Sequence, residues 1–345
     1  MNHEADLRKT LTSKPVLASG LTRRDLLVGG SALAGAALLA GCEQEKERAA
    51  RSYGGEPPQV SVVRQAGYTQ DVYDVVRRSL ELHHLDVRGK NIVLKPNLVE
   101  FEAESVINTN PVVVHAALEA FRAMGAGRVT IAEGPGHRRG TLDLAEAAGY
   151  FRTVPNFEDL FTDLNLDEVT RVKLVNPLSR HQALYFPNTV LNCDLLVSMP
   201  KMKTHHWAVA TLSMKNLFGL VPGGVYGWPK NVLHWGGIAE SIADINRVFP
   251  RTFALVDGIV GMEGNGPIQG TAKSAGVIVA GRDFAAVDAT CCRIMKIAPA
   301  QVAYLGLARK PEDLAASSIR QLGEPLAEIR STPFELLPQF RAARL

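Results

Sequence analysis

The segment NIVLKPNLVEFEAESVINTNPVVVHAALEAFRAMGAGRVTIAEGPGH, residues 91–137, decides the fold class. It opens on an apolar run, NIVLK at 91–95, which ends in a Pro-Asn turn and predicts a buried strand. Apolar residues then recur at helical spacing from Pro111 to Met124. Asn110 stands where an N-cap belongs, Pro111 occupies the first turn, and Gly125 and Gly127 end the run. A second apolar strand, RVTIA at 128–132, follows. Strand, helix and strand at this spacing form a βαβ unit, whose strands are parallel and covered by the helix.

The same rhythm extends in both directions. Strands are expected at 59–64, 194–199, 252–256 and 276–280, and helices at 71–84, 141–148, 234–248 and 283–296, with another helix opening at 298–303. The middle is less regular, with short strands expected at 160–166, 169–175 and 184–187. The expected fold is therefore α/β: a mostly parallel sheet with helices on both faces and a mixed middle insertion. The domain reading is a signal peptide at 1–41, a flexible tether at 42–58, an α/β domain at 59–310 and a C-terminal extension at 311–345.

Composition narrows the function classes. A chain of 345 residues with 46% hydrophobic and 21% charged residues is globular and large enough for its own core. A net charge of +3 and 6% aromatic content do not suit a dedicated nucleic-acid binder. Arg23-Arg24 precedes an uncharged run, Leu26–Gly41, that as a helix would reach roughly 24 Å, against about 30 Å for a bilayer core. This reads as a twin-arginine export signal rather than a span. The run ends Leu39-Ala40-Gly41-Cys42, a lipoprotein-type box that makes Cys42 the candidate lipid attachment. The expected location is the periplasmic side of the envelope, with membrane contact through the lipid anchor only. Cys193, Cys291 and Cys292 remain. They read as small buried residues, a disulfide from Cys193 to either being allowed in an oxidising compartment. Without a Cys-x-x-Cys cluster, no iron–sulfur cluster is expected.

Polar residues gather where the expected strands end: Lys95-Pro96-Asn97, Glu133-Gly134-Pro135-Gly136-His137-Arg138, Lys201-Met202-Lys203-Thr204-His205-His206, and Asp257 followed by Glu263. Ligands of open parallel sheets bind outside the carboxyl ends of the strands, so these segments should meet in one crevice. Of His205 and His206, at most one should face it if the strand stays extended. A Gly-rich stretch from Phe218 to Gly237 carries neither a dinucleotide-binding nor a P-loop fingerprint.

At these residues the chain resembles the family of unknown function numbered 362 (DUF362). The segments that carry the resemblance are KPNLVE at 95–100, EGPGH at 133–137, CDLLVSMPKMKTHHWAVATLSMKNLFGLVPGG at 193–224, LVDGIVGMEGNGPIQG at 255–270 and AVDA at 286–289. The resemblance implies a fold and a site, but no reaction. A second, remote resemblance is to the nickel-pincer lactate racemases, through GPGHRRGTLDLAEAAG at 134–149 and KTHHWAVATLSMKNLFGLVPGG at 203–224. It implies Lys215 as a cofactor-attachment residue, His234 as a nickel ligand, and His137 and His205 as acid/base residues. Ser213-Met214 stands where that family has Gly-Gly.

Two functional readings stay open. In the first, the protein is an enzyme for a small anionic substrate held by Lys95, Asn97, Arg138, Lys201 and Lys203, with proton transfer by His137 and His205. Glu133, Asp257 and Glu263 would offer oxygen ligands to a divalent cation such as Mg or Ca. Nickel enters only through the racemase resemblance. In the second, the protein is a periplasmic anion-binding or assembly accessory protein without catalysis, with a redox or envelope protein as its partner.

Overall fold

The computed structural model describes residues 56–137 and 140–345. The segments expected to be an export signal (1–41) and a tether (42–58), except 56–58, lie outside the described residues, as do Cys42 and Arg138. Six elements follow in chain order as the patterning predicts: β1 (Gln59–Arg64), α1 (Val72–Glu81), β2 (Asn91–Pro96), α2 (Pro111–Ala123), β3 (Arg128–Glu133) and α3 (Thr141–Ala147). The Asn110 side chain accepts the Val112 N–H and closes the start of α2, with Pro111 in its first turn.

The chain continues through β4 (Phe161–Asp163), β5 (Val169–Lys173), β6 (Ala183–Pro187), β7 (Leu195–Met199), β8 (Lys201–His205) and β9 (Val209–Thr211). After these come α4 (Ser213–Asn216), α5 (Ile238–Val248), β10 (Thr252–Asn265), β11 (Gln269–Gly281), α6 (Phe284–Ile294) and β12 (Arg320–Gly323). The main sheet has the order β12-β1-β11-β10-β7-β2-β3-β4. Its pairs are parallel from β10 to β4, and β11 runs antiparallel to both of its neighbours. The protein is thus α/β with a mostly parallel, mixed sheet. β5 and β6 form a separate antiparallel ribbon in the middle of the chain.

Strand alternation divides the core in two. Ile92 and Leu94 pack with Val76 of α1 and Val113 and Phe121 of α2 on one face. Val93, between them, packs on the other face with Ile242 and Ile245 of α5 and Val287 of α6. Both faces of β2 are therefore sealed, and each fully buried side chain of this size contributes about 1.5–3 kcal/mol.

Four regions differ from expectation. The helix expected at 234–248 is two helices, Asn231–Trp235 and α5, because Gly237 takes φ +101°. The strand expected to end at Val256 runs on to Asn265, held by β11 on one side and β8 on the other, with a bulge between Gly258 and Val260. The stretch 311–345 supplies β12, which pairs in parallel with β1, and buries Phe334 completely. Cys193, Cys291 and Cys292 are all buried as free thiols, so the disulfide considered for Cys193 is not formed.

Candidate functional site

The carboxyl ends of β2, β3 and β8 and the β10–β11 turn surround a cavity of about 410 Å3. Lys95, Asn97, Glu133, His137, Lys203, His205, Lys215 and His234 all line it. The sequence assigned these eight to the site from strand ends and family resemblance.

Lys95 is the last residue but one of β2 and shares the face of Val93, which turns it towards α4. Its amine donates to Glu133 Oε2 at 2.7 Å, the Pro96 carbonyl at 3.0 Å and Asn216 Oδ1 at 3.3 Å. Glu133 also accepts the N–H groups of Leu98 at 3.1 Å and Gly134 at 2.9 Å. Asn216 in turn donates to the Lys95 carbonyl and to Ser198 Oγ, both at 3.1 Å. Both members of the ion pair are sealed from solvent, which is tolerable only because every polar atom finds a partner. Gly219 and Gly134 make the seal. A Cβ at 219 would stand 2.5 Å from the Lys95 amine, and one at 134 would stand 2.7 Å from the Gly219 carbonyl.

Three more lysines reach the cavity without a carboxylate partner. Lys203 donates to the carbonyls of Ile107 at 2.9 Å and Pro267 at 3.2 Å. Lys230, held in the left-handed region at φ +64°, donates to the Gly134 carbonyl at 2.7 Å. Lys215 lies over the Phe218 ring, 4.1 Å from its centre, with no hydrogen-bond acceptor among the described residues. Burial pushes the amines of Lys215 and Lys230 down to about 7; on Lys230 the Glu133 charge opposes the shift, and the charge of Lys95 adds to it on both. Burial, then the charge of Lys215, holds Lys203 well below the usual amine range.

The histidines divide by tautomer, assigned here from their partners. His205 Nδ1 accepts the N–H groups of Trp207 at 3.0 Å and Ala208 at 3.2 Å, so its proton sits on Nε2. Burial and the nearby Lys215 charge keep this ring neutral. His206 Nδ1 faces the Gly266 carbonyl at 2.9 Å and His234 Nδ1 the Lys230 carbonyl at 3.3 Å. Carbonyls only accept, so both rings carry a proton on Nδ1. His234 is pushed down to about 4, again by burial and Lys215. Hence His205 is a hydrogen-bond donor to the cavity, and His234 offers it a lone pair. Both His205 and His206 line the cavity, stacked 4.7 Å apart, because β8 ends at His205 and the chain turns there.

Several contributors had no assigned role in the sequence. Lys230 lies deep in the Gly-rich stretch, and only its contact with Gly134 brings it in. Asp288, in the AVDA segment of α6, accepts the Ser213 and Met214 N–H groups at 2.8 and 3.0 Å and so holds the turn that carries Lys215 and Asn216. Burial raises its carboxyl to about 7. Two buried oxygens on the cavity wall, Asn97 Oδ1 and Thr211 Oγ1, have no hydrogen-bond partner among the described residues.

Other expected residues are elsewhere. Lys201 does not reach the cavity: its amine binds Asp257 at 2.6 Å, the Tyr68 hydroxyl at 2.8 Å and the Val260 carbonyl at 2.9 Å. Asp257 is further held by the Tyr68 hydroxyl and the Asn110 N–H. Glu263 pairs with Lys273 at 3.3 Å and accepts the Glu335 N–H. Glu133, Asp257 and Glu263 therefore do not meet; each carboxylate is already matched by its own lysine and backbone donors. The Mg or Ca site expected from them does not fit this geometry. Among the described residues, no group of three or more His, Cys, Asp or Glu is arranged for a metal ion.

A family model described as a domain of unknown function, DUF362, matches residues 92–293. A thylakoid-associated protein of Synechocystis sp. is 28% identical over 222 residues, which are 62% of this chain and 65% of that protein. The lactate racemase apoprotein of Thermoanaerobacterium thermosaccharolyticum aligns in three dimensions with a TM-score of 0.43 and 18% identity. That alignment covers 70% of this chain and 57% of the racemase. A Thermotoga maritima structural-genomics protein aligns with a TM-score of 0.34 and 11% identity, over 71% of this chain and 60% of that one.

Proposed function

This chain belongs to the DUF362 family, a domain of unknown function, and we propose that it is an enzyme that takes a small anionic substrate into the strand-end cavity. One observation carries the reading: Lys203, Lys215 and Lys230 converge with Lys95 on one cavity, and among its lining residues Glu133, already paired with Lys95, is the one carboxylate. Gathering four amines around a single carboxylate is costly, and each depressed amine registers that cost. A carboxylate, sulfate or phosphate group would supply the missing charge and accept the donors that now point at backbone carbonyls or at nothing. His205 Nε2–H would add a neutral donor, and Asn97 and Thr211 would reach a hydroxyl of the ligand. His234 supplies a lone pair beside that anion for proton transfer.

Export and lipid attachment at Cys42 complete the proposal. Support comes from Arg23-Arg24, the short apolar run and the Leu39–Cys42 box. The matched Synechocystis protein is named for its association with thylakoids. Among the described residues no helix is long and apolar enough to cross a membrane.

Calorimetric titration with lactate, pyruvate, sulfate and phosphate tests the site. At least one should bind, and Lys203→Met should weaken it by about tenfold or more, the effect of removing one charged hydrogen bond. Failure of all four to bind, or binding unchanged by Lys203→Met, would contradict the reading.

A further inference from the structure

The four cavity lysines are not equivalent. Three of the amines are committed as donors: Lys95 to Glu133, Lys203 to two carbonyls and Lys230 to the Gly134 carbonyl. An amine that attacks a carbonyl carbon must first leave its hydrogen-bond acceptors, and of the four only Lys215 has none to give up. Burial and the charge of Lys95 act to deprotonate this amine, the effect that activates it, against the attraction of the Phe218 ring face for the charged form. The Lys215 charge is also the leading charged influence on both Lys203 and His205, so the amine, the anion-holding lysine and the neutral donor sit together.

We propose that Lys215 is a nucleophile that forms an imine with a small carbonyl compound carrying an anionic group, a 2-oxo acid being the simplest member of the class. This rests on the anion-site reading above and names its substrate class. The anionic group would sit on Lys203 and Lys230, which places the neighbouring carbonyl carbon against the Lys215 amine. The nitrogen lone pair attacks that carbon, and the C=O π pair moves to the oxygen, where the His205 Nε2–H donates a hydrogen bond. The carbonyl oxygen and two hydrogens, in total those of the amine, then leave as one water, and a C=N bond remains. No oxidant or metal enters the balance. An amine lowered to about 7 is substantially neutral at physiological pH, which the step requires. Asp288 acts at one remove as a positioning residue, through the turn at Ser213 and Met214.

The test is reductive trapping on the full folded chain. The protein is first weighed intact to show that Lys215 is unmodified, then treated with pyruvate and cyanoborohydride and weighed again. The expected product is heavier by one pyruvate less one water plus two hydrogens, and peptide mapping places it on Lys215. Lys215→Met and Lys215→Arg should lose the adduct, and the circular dichroism spectrum of each shows whether it has folded. Sulfate should slow trapping by occupying the same lysines. If calorimetry shows pyruvate or another of the small anions bound but no adduct forms, or if the adduct persists in a folded Lys215 variant, the imine proposal is wrong and the anion site survives. If none of the anions binds, the underlying reading falls and the imine proposal with it.

Discussion

Gly219 and Lys95 are packed so closely that a Cβ on the glycine would stand 2.5 Å from the lysine amine. The backbone at 219 is thus the lid on a buried ion pair, and its lack of a side chain is a requirement of the site. Gly219→Ala should cost about 1–3 kcal/mol, the usual penalty for overfilling a packed interior. It should also weaken anion binding by shifting Lys95 and Glu133. Chemical denaturation and calorimetry of the variant check both effects. A neutral substitution would mean that the 217–220 turn can move away.

The Lys95–Glu133 pair itself should behave as a buried unit. Glu133→Gln leaves a buried ammonium without its counter-charge and should cost about 3–5 kcal/mol. The double variant Lys95→Met, Glu133→Leu removes both charges and should recover much of that loss. Equal costs for the single and double variants would show that the pair contributes only packing.

Much of this site was legible because strand ends are legible. Lys95, Asn97 and Glu133 follow apolar runs that end in Pro or Gly turns, and parallel topology brings such ends together. Asp257 follows the same pattern and yet is not in the cavity. Its strand does not end there, since β10 goes on pairing with β8 and β11, and non-local pairing leaves no local mark in sequence. Lys201 is lost to the cavity for the same reason, being drawn to Asp257 and Tyr68. Lys230 was invisible because its place depends on a contact with Gly134 across 96 positions. The roles of His205 and His206 were also beyond reading. They depend on which ring nitrogen meets a backbone N–H and which a carbonyl, and the turn after β8 decides that.

Stability should rise with pH just above neutrality. The amines of Lys215 and Lys230 titrate near 7 in the folded chain and near 10.4 when unfolded. Between those values the unfolded chain binds protons that the folded chain does not, so raising pH favours folding. The window to examine is pH 7 to 8.5, because the raised Cys193, Cys291 and Cys292 thiols oppose the trend at higher pH. Urea midpoints should increase across the window in the wild type and increase less in Lys215→Met. Parallel curves for the two proteins would contradict the assignment.

Asp288 should matter to the site without touching it. Asp288→Ala strands two buried N–H groups at Ser213 and Met214, which should cost about 1–3 kcal/mol. Asp288→Asn keeps one acceptor oxygen and should cost less. If Asp288 positions Lys215, affinity for sulfate should fall in Asp288→Ala and recover in part in Asp288→Asn, as titration of both variants would show. Unchanged affinity in a folded Asp288→Ala would make the residue purely structural.

The most direct test of the anion site is the proton count on binding. Sulfate and lactate do not titrate above pH 6, so any proton taken up when they bind must go to the protein. Calorimetry of whichever of them binds, at pH 8 in buffers of different ionisation enthalpy, yields that count. The cavity predicts net uptake at pH 8, because the anion sits on Lys230 and re-protonates it, and uptake falling towards zero at pH 6, where that amine is already charged. Binding without proton uptake at pH 8, or no binding at either pH, would contradict the claim that these unpaired lysines form an anion site.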